Sequence, residues 1–286
     1  MAARSWDDPG MKVPGITQRY AVVGDPVAHS LSPPIHGAWI AAAALNAHYG
    51  RVHLQSENAV ADIRAMTRDY AGLNVTLPHK VAAANAAARV DPLAARIGAA
   101  NTLVNEGGQW AAYNTDIEGF ETAVRDTGCV LGPNLNVILI GAGGAARAAV
   151  TSLHEAGAKI TVLNRSVENA DKLARDLASH AQTGALEELT ERAEAADLIV
   201  NSASLGHAGG SLPALPAGKG RPFLDLSYGK AAAQTLQTAA TSGWTPHDGL
   251  PMLVGQAAAA FRIWFGISPD EAGALRACRE AVAARA

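Results

Sequence analysis

With 286 residues, of which 49% are hydrophobic and 17% charged, the chain has a globular makeup and material for one large or two ordinary domains. A net charge of −3 without a basic stripe argues against nucleic acid as a partner, and no apolar run reaches the roughly 18 residues that a membrane helix needs. Two cysteines, Cys129 and Cys278, make neither a disulfide framework nor a metal cluster. The first 16 residues carry charges, Pro and Gly but no signal-peptide core, and read as a loose extension. A reducing cytoplasm is the expected location.

Residues 19–24 read as a short apolar strand closed by a Gly-Asp-Pro turn. A helix follows over 33–47, with Ser32 as the expected N-cap and Pro33 in the first turn. Next come a strand at 49–54, a helix at 57–70 and a strand at 73–77. The last opens the string Asn74-Val75-Thr76-Leu77-Pro78-His79-Lys80, and an alanine-rich helix follows it. Asn74, Thr76 and Lys80 are spaced to converge on one small polar ligand at a strand end. The alternative is a plain strand-to-helix turn with a solvated lysine. A lysine near the first turn of a helix opposes the helix dipole, so a functional reason for it is worth seeking.

Residues 101–105 and 109–114 read as a hairpin around Gly107-Gly108, and 116–127 as a helix. From residue 135 the pattern is strand 135–140, a Gly-rich turn, helix 145–156, strand 159–163 and helix 167–178. Short buried strands follow at 198–201 and 223–226, then closing helices at 249–265 and 269–284. This alternation implies an α/β protein with parallel sheets covered on both faces. It divides into an N-terminal unit over 1–115, completed by 251–286, and a Rossmann-type doubly wound unit over 116–250.

The turn Gly141-Ala142-Gly143-Gly144-Ala145-Ala146 fits G-x-G-x-x-G/A between a buried strand and a helix. There the first glycine makes the tight turn, the second admits a pyrophosphate to free backbone amides, and the small third residue lets helix and strand pack. An NAD site has Asp or Glu about 20 residues further on. This strand ends instead in Asn164-Arg165-Ser166, with no carboxylate at its tip. Arg165 suits a 2′-phosphate gripped bidentately, and Ser166 suits a second donor, the cap of the next helix, or both. NADP (NADPH) is the expected cofactor.

Asp116 ends Tyr113-Asn114-Thr115-Asp116, just before a helix. It is either an ordinary N-terminal helix carboxylate or a partner for Lys80 across a cleft. Such a pair suits carbonyl–alcohol redox chemistry, where hydride reaches the carbon while a proton must reach the oxygen. No metal is expected, because His29 and His36 lack a ligand spacing with an acid or cysteine. His79 is expected to point away from Lys80.

Taken together, these strings resemble the shikimate dehydrogenase family from about Tyr20 to the last helices. The matching segments are G-D-P-V-A-H-S-L-S-P-P-I-H from Gly24, N-V-T-L-P-H-K from Asn74, I-G-A-A-N-T from Ile97 and Y-N-T-D-I-E-G from Tyr113. Further matches are G-A-G-G-A-A from Gly141, N-R-S from Asn164 and D-G-L-P-M-L-V-G-Q-A from Asp248. The resemblance implies NADP-linked interconversion of 3-dehydroshikimate and shikimate in aromatic amino acid biosynthesis. It implies Lys80 and Asp116 as the catalytic pair and Ser30 and Ser32 on the substrate carboxylate. Asn74, Thr76, Asn101 and Gln256 would take the ring hydroxyls, with Tyr228 approaching from the cofactor side. The cofactor would be held by Gly141, Ala142, Gly143, Gly144, Ala145, Asn164, Arg165 and Ser166, with Gly249 beside the nicotinamide. A small-molecule substrate is the expected partner, and a homodimer the expected assembly.

Some positions depart from the family pattern. Gly37 stands for Asn, Asn169 for a second basic residue, Ala203 for Thr and His207 for an apolar residue, and Gly229 follows Tyr228. These leave open a quinate/shikimate or aminoshikimate dehydrogenase paralogue that prefers NAD. A ligand-sensing homologue without turnover is the third reading.

Overall fold

The computed structural model describes residues 16–203 and 211–285. His207 and the expected N-terminal extension up to residue 15 lie outside them. The first half comprises β1 (Gln18–Gly24), α1 (Ser32–Ala42), β2 (Ala47–His53), α2 (Ala59–Ala65), β3 (Gly72–Val75), α3 (Lys80–Ala86) and β4 (Arg89–Val90), then α4 (Pro92–Ile97), β5 (Thr102–Glu106) and β6 (Gln109–Tyr113). After α5 (Asp116–Asp126) come β7 (Asn136–Ile140), α6 (Gly144–Glu155), β8 (Lys159–Asn164), α7 (Val167–Leu177), β9 (Gln182–Ala185), α8 (Leu189–Arg192) and β10 (Leu198–Asn201). The chain closes with β11 (Pro222–Asp225), α9 (Lys230–Thr241), β12 (Thr245–His247), α10 (Leu250–Phe265) and α11 (Glu271–Ala283).

Two six-stranded sheets result. The second, ordered β12-β11-β10-β7-β8-β9, is parallel throughout. Both its faces are covered: Val137 and Leu139 pack with α5, α6 and α7, while Ile138 and Ile140 face Phe223, Ala239 and Trp244. Strand order reverses between β7 and β10, the crevice where such sheets bind ligands. The first sheet, ordered β2-β1-β3-β5-β6-β4, is mixed, which corrects the expectation of a parallel one. β5 runs antiparallel to both β3 and β6. The short Gly107-Gly108 turn accounts for the β5–β6 pairing, since it returns the chain at once and leaves no room for a parallel crossover.

One face of the first sheet is covered by α1 together with α10 and α11, through Ile35, Trp39, Val254, Phe261 and Cys278. The other is covered by α2 and α3 through Ile63, Ala83 and Ala86. The helix expected over 33–47 stops at Ala42, because Ala47 already pairs with Gln18 in the sheet. Ser32 is not its cap. It occupies the first turn behind Leu31, and the Ser32 N–H donates to Ser30 Oγ at 3.2 Å. Helices α4, α8 and α9 and strands β4, β9 and β12 were not anticipated. In α9, Lys230–Thr241, the alanine-rich run lacks a strong apolar stripe, and helix propensity was its available signal.

The two sheets are joined where α5 crosses α10. A side chain on Gly119 would meet Met252 O at 2.6 Å and Gln256 Cβ at 2.9 Å, so the backbones touch there. Gly119→Ala is expected to cost about 1–3 kcal/mol despite its better helix propensity, since the obstacle is main chain. Urea unfolding would read this as a lower midpoint, and an unchanged midpoint would contradict the close crossing.

Candidate active site

The polar groups gather at the carboxyl ends of β1 and β3 and at the start of α5. Lys80 opens α3, and its carbonyl is pinned by the Ala100 N–H at 2.9 Å. Its ammonium meets Asp116 Oδ2 at 2.5 Å, with the side chains 16% and 5% exposed. Asp116 begins α5, where the helix dipole favours a carboxylate. Its other oxygen, Oδ1, accepts from Asn101 Nδ2 at 2.8 Å, and its main-chain N–H donates to Asn114 Oδ1 at 3.0 Å.

Asn101 ties this pair to the rest of the site. Its Oδ1 accepts from the Thr115 N–H at 2.8 Å and from Thr102 Oγ1 at 3.1 Å, while Gln256 Oε1 lies 3.4 Å from its Nδ2. Asn74 Nδ2 donates to Thr102 Oγ1 at 3.1 Å, and Asn74 Oδ1 accepts from Tyr49 OH at 2.7 Å. Lys80, Asp116, Asn74, Asn101 and Gln256 therefore share one hydrogen-bonded network. Thr76 lies just beyond β3 rather than inside it, with its N–H on Val23 O at 2.8 Å. Tyr49, Thr102 and Thr115 belong to the network but escaped the sequence reading. Tyr49 stands on a strand, AHYGRVH, whose other polar residues mask it, while Thr102 and Thr115 offered a hydroxyl at or just beyond a strand end. His79 does turn away from Lys80, its Nε2 sitting 2.7 Å from Leu54 O.

Beneath the network His36 stacks on Tyr49 at 4.3 Å between ring centroids, with Trp39, Phe261 and Trp264 around it. No well-formed hydrogen bond reaches its ring nitrogens among the described residues, and the neighbouring Asn74 side chain offsets the burial only in part. Burial pushes its pKa down to about 3 and the Tyr49 phenol well above its ordinary value.

Ser30 and Ser32 sit on the loop and first turn leading into α1. Tyr228, from the loop after β11, packs against the α1 side of the first sheet and meets the main chain of Leu31. Buried Asp225 shapes that loop by accepting from Asn201 Nδ2, Thr235 Oγ1 and the Ser227 N–H. Gly249 caps α10, and its N–H donates to Ser227 O at 2.8 Å.

Across the cleft lies the glycine turn. Gly141 has φ +105, which favours glycine, and a side chain there would strike Ser202. Lys80 Cδ is 3.7 Å from where a Gly144 Cβ would sit, so the lysine stem faces the start of α6. Beside it opens a pocket of about 550 Å³ lined by Ala142, Gly143, Asn164, Arg165, Ser166 and Asn169. A side chain on Gly143 would meet no atom within 4 Å, which leaves its backbone open to a phosphate. Ser166 caps α7 by accepting from the Asn169 N–H, and it also donates to Glu168 Oε2 at 2.7 Å. A carboxylate thus stands two residues from the cap, which qualifies the reading of a strand tip free of acids.

Among the described residues no group of three His, Cys, Asp or Glu could hold a metal, and no helix is long and apolar enough to cross a membrane.

Three family profiles match the sequence. They are described as the shikimate dehydrogenase substrate binding domain at residues 22–103, shikimate / quinate 5-dehydrogenase at 131–208 and the shikimate 5'-dehydrogenase C-terminal domain at 249–279. The chain belongs to the shikimate dehydrogenase family. A shikimate dehydrogenase (NADP(+)) of Hyphomonas neptunium is 45% identical over 270 residues, covering 94% of this chain and 99% of that protein. Shikimate 5-dehydrogenase of Thermus thermophilus, solved with shikimate, is 36% identical with a TM-score of 0.82, over 93% of this chain and 99% of that one. The same enzyme solved with NADP(H) and shikimate is 35% identical with a TM-score of 0.79, over 92% and 99%. Both matches span the two sheets of the family fold.

Proposed function

We propose that the protein is an NADP-dependent shikimate dehydrogenase that interconverts 3-dehydroshikimate and shikimate. The observation that carries this is the Lys80–Asp116 pair facing the glycine turn across one cleft, among neutral hydrogen-bonding groups. The nucleotide pocket suits NADP: open backbone at Gly143, the α6 N-terminus for the pyrophosphate, and Arg165 for the 2′-phosphate. When bound, NADPH supplies hydride to the substrate carbonyl carbon. Lys80 and Asp116 deliver the proton to the carbonyl oxygen as a coupled unit, and take it back in the oxidation. Asn101 holds Asp116, and so keeps the ammonium aimed into the cleft.

Ser30 and Ser32 take the substrate carboxylate, while Asn74, Thr76, Asn101 and Gln256 read the ring hydroxyls. Tyr228 and Gly249 border the nicotinamide side, with Gly141, Ala142, Gly143, Gly144, Ala145, Asn164 and Ser166 completing the cofactor cradle. The proposed division is a substrate domain, 1–115 plus 251–286, and a cofactor domain, 116–250. The packing of α10 and α11 on the first sheet supports it. A cytoplasmic location and a homodimer complete the proposal.

Following NADPH formation from shikimate tests the activity, and no turnover with either nucleotide would refute it. Asn169 in place of a cation and Glu168 beside Ser166 leave phosphate discrimination to Arg165. Arg165→Ala should raise the KM for NADPH about tenfold or more while that for NADH moves less than about twofold. Equal rises would remove Arg165 from reading the 2′-phosphate.

A further inference from the structure

We infer that Arg51 is a further substrate-binding residue, whose guanidinium supplies the counter-charge for the carboxylate held at Ser30 and Ser32. This rests on the functional reading above and adds a specificity determinant to it.

The strand register places Arg51. Val22 pairs with Arg51 on one side and Asn74 on the other, so the three residues lie at one level of the first sheet. Residues in register project to the same face, which gives Arg51 the same face as Asn74, two strands away at roughly 10 Å. Tyr49, two residues earlier on β2, lies on that face too, and its hydroxyl reaches Asn74. Arg51 therefore borders the hydroxyl-reading network on the side where the Ser30 loop passes.

The guanidinium is anchored there. Its Nη2 donates to Ser30 O at 2.7 Å, and the Ser30 hydroxyl in turn accepts from the Ser32 N–H. This one bond uses one of five N–H donors. Among the described residues no carboxylate lies within ion-pair distance of Arg51. The acid on the neighbouring turn, Asp25, is paired with His53 at 2.7 Å.

The chemistry calls for such a group. Two serine hydroxyls supply hydrogen bonds but no charge, and a carboxylate drawn from water without a counter-charge loses solvation. Lys80, a second cation on the substrate side of the cleft, is paired with Asp116. Arg51 is the cation beside the serines, and a charged donor to a carboxylate is about twice as strong as a neutral one. Its presence also explains how a site built from serines binds an anion selectively.

The competing role is a staple that merely holds the Ser30 loop. Comparing shikimate with its uncharged methyl ester separates the two. Arg51→Gln should raise the KM for shikimate roughly 10- to 100-fold, with the KM for the ester within about twofold. The preference for acid over ester then collapses. Arg51→Lys, which keeps the charge, should recover part of it. Added salt should raise the KM for shikimate in the parent protein but not in Arg51→Gln. Retained NADPH binding shows that the variants are folded. Equal losses on acid and ester would overturn the inference in favour of the staple, and unchanged KM values would leave Arg51 a solvated surface residue. A parent protein that turns over neither compound with either nucleotide overturns the functional reading itself.

Discussion

Replacing Lys80 by alanine is expected to lower kcat for shikimate oxidation by about 10²- to 10⁴-fold, the range for removing a general acid–base group. The KM for shikimate should change by less than about fivefold, since Asn74, Asn101 and Gln256 are untouched. In the proposed role the ammonium acts when charge develops on the substrate oxygen, so the loss should fall on kcat, as for any transition-state interaction. A structural cost accompanies it. Asp116 is 5% exposed and loses its ion-pair partner, which leaves a buried carboxylate held by Asn101 alone. Asp116→Asn keeps the shape while removing the charge, and should lower kcat in the same direction. Single-turnover rates at saturating NADP, read beside thermal midpoints, separate chemistry from folding. A Lys80→Ala protein that keeps kcat within about threefold would remove this lysine from the reaction.

Acid should destabilise the fold through His36. In the folded protein its pKa lies at about 3, because the ring is enclosed by Tyr49, Trp39, Phe261 and Trp264. In the unfolded chain an ordinary imidazole titrates near 6.5. Below that value the unfolded chain takes up a proton that the folded one refuses. The contribution of a neutral His36 is therefore complete above about 6.5 and is lost as the pH falls towards 3. Over the whole window this amounts to roughly 4–5 kcal/mol, and to roughly 2 kcal/mol between pH 7 and pH 5. Buried Asp225 and half-buried Asp248, whose pKa values are raised by desolvation, titrate in the opposite sense. The measurement is thus a difference: urea unfolding at the two pH values for the parent and for His36→Phe, which keeps an aromatic ring in the stack. The variant should show the shallower pH dependence. Parallel slopes would mean that His36 has a solvated or charged state in the fold.

The residues legible in the sequence were those whose role is written locally. Asn74 to Lys80 and Gly141 to Ala146 are single turns whose polar or glycine pattern lies within a few residues, and Arg165 follows its strand directly. The family resemblance added Ser30, Asn101, Tyr228 and Gln256, which no local pattern singles out. What stayed hidden depends on strand register and long-range packing. Tyr49 joins the site because β2 and β3 both flank β1 at a particular register, and Arg51 meets Ser30 for the same reason. Ser32 had the right residue type for a cap, yet the chain enters α1 one residue earlier and leaves it inside the first turn. Of the two antiparallel pairings in the mixed first sheet, β5–β6 is written in the glycine hairpin, while β3–β5 is a long-range register that no local pattern gives.

The crossing of α5 and α10 bears on how the cleft can open. The chain leaves the first sheet at Asp116 and returns at Gly249, and both points lie beside that crossing. If the lobes swing about it, displacement grows with distance from the axis. Arg165, just past the end of β8, would move with the second sheet, while the carboxylate at the start of α5, within one turn of the crossing, would scarcely move. Loading and discharge of the nucleotide would then proceed while Asp116 and its hydrogen-bonded partner Asn101 stay assembled on the fulcrum.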